Sequence, residues 1–335
     1  MPSFCYQISQ EQFTPRQLLE LAKRAEAAGF DELASSDHLF PWSHTQGQSG
    51  FTWSWLGAAL EATNIPIGVV NCPYERYHPV IIAQACATLW QMYPGRFWPT
   101  FGSGEFLNEH ITGNHWPEKA ARNRKLAEAI EVMQRLWRGE RFTYRGEFIT
   151  AEEVQLFTLP HEQDIPPTVG CAITASTAAD ISAWADGLYT VHKEHANLDD
   201  TIDSFLTGQL VEDQGVERNH PNPEGKQLIV KVDMSCGRTR EEAIEQAYPQ
   251  WVTNVGAGSV HGELRTPDQF EQAAQFITPE QVANSLRISQ DPEEHADLIR
   301  KDLALGFDKI VFHSVGLNQD YFIEWFGKEV LPRVR

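Results

Sequence analysis

Ala34-Ser-Ser-Asp-His-Leu-Phe-Pro-Trp42 and Thr100-Phe-Gly-Ser-Gly-Glu-Phe-Leu-Asn108 decide how this chain is read. Each follows a short apolar, strand-like run (30–36 and 96–101) and precedes a helical pattern. A strand that stops at ionisable residues and then gives way to a helix is the unit of a βα protein, whose functional groups collect at the carboxyl ends of its strands. Asp37, His38 and Glu105 are therefore expected on one rim of such a protein.

The same alternation runs outward in both directions. Strand-like runs fall at 4–8, 65–70, 168–172, 187–191, 228–234, 287–289 and 309–313, separated by segments with helical spacing. Thr14-Pro15 is a helix start with a threonine N-cap, and Gly29 marks the stop. Eight βα units with insertions predict a (β/α)8 TIM barrel. With no internal repeat and no linker-like block, a single domain over 1–335 is expected, interrupted at 139–166 and 253–278, where the periodicity fails.

Composition narrows the partners. The 335 residues are 41% hydrophobic and carry a net charge of −19, which disfavours nucleic acid and anionic membranes. Five scattered cysteines without a Cys-x-x-Cys pair argue against a disulfide framework or a structural zinc site. The start Met-Pro-Ser-Phe has no basic stretch leading into an apolar run, and no segment is apolar for long enough to span a bilayer. A cytoplasmic protein is expected.

Gathering the strand ends gives Asp37-His38, Asn71-Cys72-Pro73, Gly102 to Glu105, Ile173 to Ser176, His192-Lys193, Ser235 and His313-Ser314. Histidine exchanges protons near neutrality, and a carboxylate beside it can orient it or act as its acid partner. The blander reading of Asp37 is a turn cap. Gly102-Ser-Gly104 allows close backbone approach to a planar ligand, but Leu107 stands where a dinucleotide fingerprint needs glycine. Thr174, Ser176 and Thr177 at a helix start offer hydroxyls and free N–H groups to a phosphate, or else simply cap the helix. Trp42, just past His38, is placed to line a pocket for a ring. No metal-binding spacing is present.

Ser36-Asp-His-x-x-Pro-Trp42, Arg76-Tyr-x-Pro79 with Ile82-Ala-Gln-Ala85, Gly102-Ser-Gly-Glu-x-Leu-Asn-Glu109, Ala185-Asp-Gly187 and Val311-Phe-His313 together carry a resemblance. The chain resembles the luciferase-like flavin oxidoreductase superfamily from about Tyr6 to Arg333. Within it, the chain is most similar to the glucose-6-phosphate dehydrogenase group that uses the deazaflavin coenzyme F420. The resemblance implies a homodimeric (β/α)8 barrel with its cofactor at the strand carboxyl ends. It implies His38 as the base that takes the alcohol proton, Glu105 as proton donor to the cofactor, and Trp42 at the reacting centre. Asp37, Asn71, Cys72, Gly104, Asn108, Thr174, Ser176, Thr177 and Lys193 are the implied cofactor contacts.

Departures concern substrate and cofactor. The group holds its sugar phosphate with two lysines and an arginine. Lys193 matches one lysine, but the second falls near His261 and the arginine near Ser285. Losing two permanent cations makes glucose 6-phosphate an unexpected substrate. Ile173-Thr174 replaces a Gly-Gly step, and the hydroxyls that follow resemble the phosphate seats of FMN-using relatives, while Gln46-Gly-Gln-Ser-Gly50 with Asn108-Glu-His-Ile-Thr-Gly113 resembles a branch of the group that uses ordinary flavin. FMN is therefore the expected cofactor and F420 the alternative. The expected activity is hydride transfer between the flavin and a small organic substrate of little or no charge. The alternatives are an F420-dependent dehydrogenase, an FMN monooxygenase served by a flavin reductase, and a catalytically silent flavin-binding protein.

Overall fold

The computed structural model describes residues 2–160, 167–192, 195–212, 220–222, 224–255 and 258–335. The strands are β1 (Ser3–Ile8), β2 (Glu32–Ser36), β3 (Ile67–Asn71), β4 (Phe97–Phe101), β5 (Phe142–Arg145), β6 (Thr150–Val154), β7 (Val169–Cys171), β8 (Gly187–Val191), β9 (Gln227–Ser235), β10 (Arg287–Ile288) and β11 (Lys309–Ser314). The main sheet runs β10-β9-β11-β1-β2-β3-β4-β7-β8, and β8 pairs again with β9, closing a ring of eight strands. The fold is a (β/α)8 barrel.

One sequence expectation changes in detail. The run at 287–289 is not one of the eight staves: β10 is two residues long and pairs with β9 only at Met234 and Ser235. The segment after Gly139 forms the antiparallel β5–β6 hairpin, a separate two-stranded sheet.

Contacts divide the chain into two compact units. The first comprises Met1–Ile65, Glu105–Asn108 and Val230–Arg335. Its first helix, α1 (Pro15–Ala27), starts at a reciprocal box in which the Thr14 side chain accepts from Gln17 N–H and the Gln17 side chain accepts from Thr14 N–H. Strands β1 and β11 send Phe4, Tyr6 and Phe312 into an aromatic layer with Phe30, Phe322 and Phe326, all buried. This apolar packing covers one face of the two strands, while the residues that alternate with it, Gln7 on β1 and Val311 and His313 on β11, belong to the opposite face.

The second unit comprises Pro66–Gly104 and Glu109–Ile229. Here α2 (Pro79–Met92) and α3 (Lys119–Trp137) pack against β4. Trp90 and Trp137 meet edge to face with centroids 5.1 Å apart. Each indole N–H donates to a backbone carbonyl, Phe97 O at 2.9 Å and Ala83 O at 3.0 Å, so neither buried polar atom is stranded. On the other face of β4, Trp98 requires glycine at its β3 partner, because a Cβ on Gly68 would come within 2.3 Å of the Trp98 ring.

Candidate active site

Strand β1 ends in the turn Ser9-Gln-Glu-Gln12, and its parallel neighbour β2 ends at Ser36, with Ile8 registered against Ser35. That register brings Glu11 to the residues that follow β2. Glu11 is buried, and its carboxylate accepts from Ser36 Oγ at 2.6 Å and Ser9 Oγ at 3.1 Å. His38 Nδ1 lies 2.7 Å from Glu11 Oε1, an ion-pair contact without the alignment of a good hydrogen bond. The carboxylate at the His38 ring is thus Glu11. Burial alone would raise the Glu11 pKa, but the neighbouring charge of His38, with the Ser36 hydroxyl, outweighs it and brings it down to about 2. With Nδ1 committed to Glu11, Nε2 is the ring nitrogen left to meet a ligand, and the side chain is 22% exposed.

The loop carrying His38 is held from several sides. Asn108 Oδ1, in the short helix Phe106–Glu109 that follows Glu105, accepts from Leu39 N–H at 2.8 Å and Phe40 N–H at 3.1 Å. Ser49 Oγ donates to His38 O at 2.7 Å, and Trp42 N–H donates to Gln46 Oε1 at 2.8 Å. Trp42 meets His38 edge-on at 5.4 Å. Its ring also packs on His261 at 4.9 Å and on Phe270 at 5.2 Å. Phe270 lies on the helix Pro267–Ala274, within the aperiodic stretch 253–278. Glu11 and Phe270 are the members of this cluster that sequence reading did not place, and His261 was placed only as the counterpart of a substrate-binding lysine. Asp37 is buried, and Glu105 is half-buried.

The second unit holds other predicted contacts. Asn71 closes β3, and its carbonyl accepts from Gly102 N–H at 3.0 Å. Cys72 is buried, and burial pushes its thiol pKa well up, so it stays protonated and unreactive. Gly104 has φ +77°, and a Cβ there would approach Cys72 Sγ to 2.9 Å, so this turn takes glycine for both torsion and room. At the helix Ala175–Ile181, Thr174 is the N-cap: its Oγ1 accepts from Thr177 N–H and donates to Thr177 Oγ1 at 3.1 Å. Thr177 is buried against the helix, while Ser176 is exposed. Lys193 lies outside the described residues.

A strand-end histidine on a buried carboxylate, edged by a tryptophan, on a (β/α)8 barrel is a pattern to compare with known proteins. The family described as luciferase-like monooxygenase matches residues 4–309. The chain belongs to that family. It is 35% identical to the F420-dependent glucose-6-phosphate dehydrogenase of Microbacterium testaceum (strain StLB037), over 99% of this chain and 97% of that protein. A second protein of that name, from Nakamurella multipartita, is also 35% identical, over 99% of this chain and 96% of its own length. Among solved structures, an F420-dependent secondary alcohol dehydrogenase in complex with an F420-acetone adduct superposes with a TM-score of 0.89 at 28% identity, covering 100% of this chain and 99% of that one. This luciferase-like protein is a flavin-type oxidoreductase, as the sequence resemblance implied. Among the described residues, no helix is long and apolar enough to cross a membrane.

Proposed function

We propose that the protein is an F420-dependent dehydrogenase of a small, uncharged alcohol. The observation that carries the reading is the Glu11–His38 pair edged by Trp42. Glu11 holds the imidazole through Nδ1, so Nε2 accepts the alcohol O–H proton as the carbinol hydride departs. F420, when bound, supplies the hydride acceptor. Glu105, half-buried and ahead of the helix that ties the His38 loop, delivers the proton that completes reduction of the cofactor ring. The alcohol thereby loses a hydride and a proton and becomes a ketone. Because the substrate itself reduces the cofactor, no separate flavin reductase is called for.

Two considerations favour F420 over the FMN expected from sequence. The relatives described above are named for F420. Thr174, part of the hydroxyl-rich segment that favoured FMN, is engaged in capping its own helix: it takes up the N–H of Thr177 and gives its own hydroxyl proton to Thr177 Oγ1. FMN remains the second reading, resting on the exposed Ser176 hydroxyl and the departures from the Gly-Gly pattern.

The substrate reading rests on missing cations. Burial lowers the His261 pKa, so that side chain is not a standing positive charge. Ser285 sits at a helix end and donates its hydroxyl to Val282 O. The nearby Arg287 is no substitute: it is half-buried and bidentate on the buried Asp302, at 2.6 and 2.8 Å. With F420 present and air excluded, propan-2-ol is expected to bleach the cofactor's visible band, whereas glucose 6-phosphate leaves it unchanged. Saturable bleaching by the sugar phosphate would overturn this substrate assignment.

A further inference from the structure

Strands β9 and β11 bring together a second histidine–carboxylate pair that the chemistry above does not use. Asp233 Oδ1 lies 2.8 Å from His313 Nδ1 and 2.9 Å from Lys231 Nζ. Burial alone would raise the Asp233 pKa, but the Lys231 ammonium and the His313 hydrogen bond outweigh it and hold the carboxyl well below the usual range. Ionised Asp233 accepts from Nδ1, which fixes the ring and leaves Nε2 as its other polar atom.

That atom is buried and has no hydrogen-bond partner among the described residues, on a side chain only 9% exposed. Buried polar atoms are nearly always satisfied by protein, water or ligand, so Nε2 is an acceptor open to a ligand hydroxyl, and the fixed ring and aromatic neighbour beside it set it apart from other buried atoms of this kind. The surroundings state the ligand's chemistry. Trp251 meets the His313 ring edge-on at 5.1 Å, and Lys231 Nζ lies 5.5 Å from the centre of the Trp251 ring. Lys231 is already committed to Asp233, so the cluster offers no spare cation to an anion. An aromatic wall beside a single ring nitrogen suits a neutral C–OH group.

We propose that Lys231, Asp233, Trp251 and His313 form a subsite for a hydroxyl of an uncharged, hydroxylated substrate, its O–H donating to His313 Nε2. Calling that ligand the substrate rests on the dehydrogenase reading; its binding does not. Asp233 and Lys231 position the ring, and His313 makes the contact that selects the ligand.

The test uses the full chain labelled with nitrogen-15 at histidine, with and without F420, titrated with propane-1,2-diol and followed at the His313 Nε2 resonance. Two variants separate ligand contact from structural support. His313→Asn keeps an amide where Nδ1 stood, so Asp233 retains its partner, but nothing remains at the Nε2 position. His313→Gln does the reverse. The diol is expected to shift the resonance saturably. Diol affinity, read by calorimetry in the wild type and in both variants because neither variant carries the His313 resonance, should fall about tenfold in the Asn variant and stay within about threefold in the Gln variant, the scale of one hydrogen bond. A resonance that never moves, or the opposite ranking of the two variants, overturns the subsite. If the diol shifts the resonance but no alcohol bleaches F420, the subsite stands and the dehydrogenase reading falls. If propan-2-ol bleaches F420 and the diol leaves the resonance unmoved, the subsite alone falls.

Discussion

His38→Asn is expected to lower the rate of alcohol oxidation by about 10²–10⁴-fold, the usual contribution of a positioned proton acceptor. The asparagine amide reaches the place of Nδ1, so the contact with Glu11 at the end of β1 is kept. It removes Nε2, the atom that would take the alcohol proton, and it cannot titrate. Cofactor affinity should change little, which separates this role from loss of the fold or of binding. The measurement is the anaerobic rate of cofactor bleaching by propan-2-ol from about pH 6 to about pH 8, the window in which imidazole changes charge. A variant that keeps the wild-type rate across that window would make His38 a structural residue.

Glu11→Gln is expected to cost about 10–10²-fold in the same rate, because a neutral amide no longer holds the imidazole or stabilises it when it takes up the proton. It should also leave a signature in stability. The folded-state pKa of Glu11 is depressed to about 2 from an ordinary value of 4.5. A depressed carboxyl contributes stability above its unfolded pKa and loses it as the pH falls through the folded value. The wild type should therefore exceed the variant by about 1–3 kcal/mol from neutrality down to about pH 5, and the gap should close toward about pH 2. Urea denaturation at several pH values reads this directly. A gap that persists unchanged to the lowest pH would mean that the Glu11 charge is not what the pair depends on.

How much of this was legible in the sequence follows from what each residue depends on. His38, Trp42 and Glu105 could be placed because each follows an apolar run that does become a strand, β2 or β4. Glu11 could not, since its role depends on the β1–β2 register rather than on local pattern. A carboxylate just past the end of the first strand was the available signal. Phe270, and the packing of His261 on Trp42, were hidden because 253–278 has no period, yet its short helices carry the aromatic partners of Trp42. The run at 287–289 looked like a barrel strand by composition, but Arg287 is drawn onto Asp302 and only two residues pair. The hydroxyls at 174–177 illustrate a general ambiguity: a helix start rich in threonine reads alike whether it seats a phosphate or caps itself. Here Thr174 caps.

The central claim is that an alcohol passes its hydride to F420 in this barrel while His38 takes the proton. Propan-2-ol deuterated at the carbinol carbon, incubated with the protein and F420 without air, tests it most directly, with mass spectrometry of the recovered cofactor as the readout. The account predicts one deuterium in the reduced F420, formed quickly by the wild type and slowly by His38→Asn. Recovery of unreduced, unlabelled F420, together with transfer of one atom of labelled oxygen gas into an organic product by the protein loaded with reduced FMN, would contradict it and identify a monooxygenase instead.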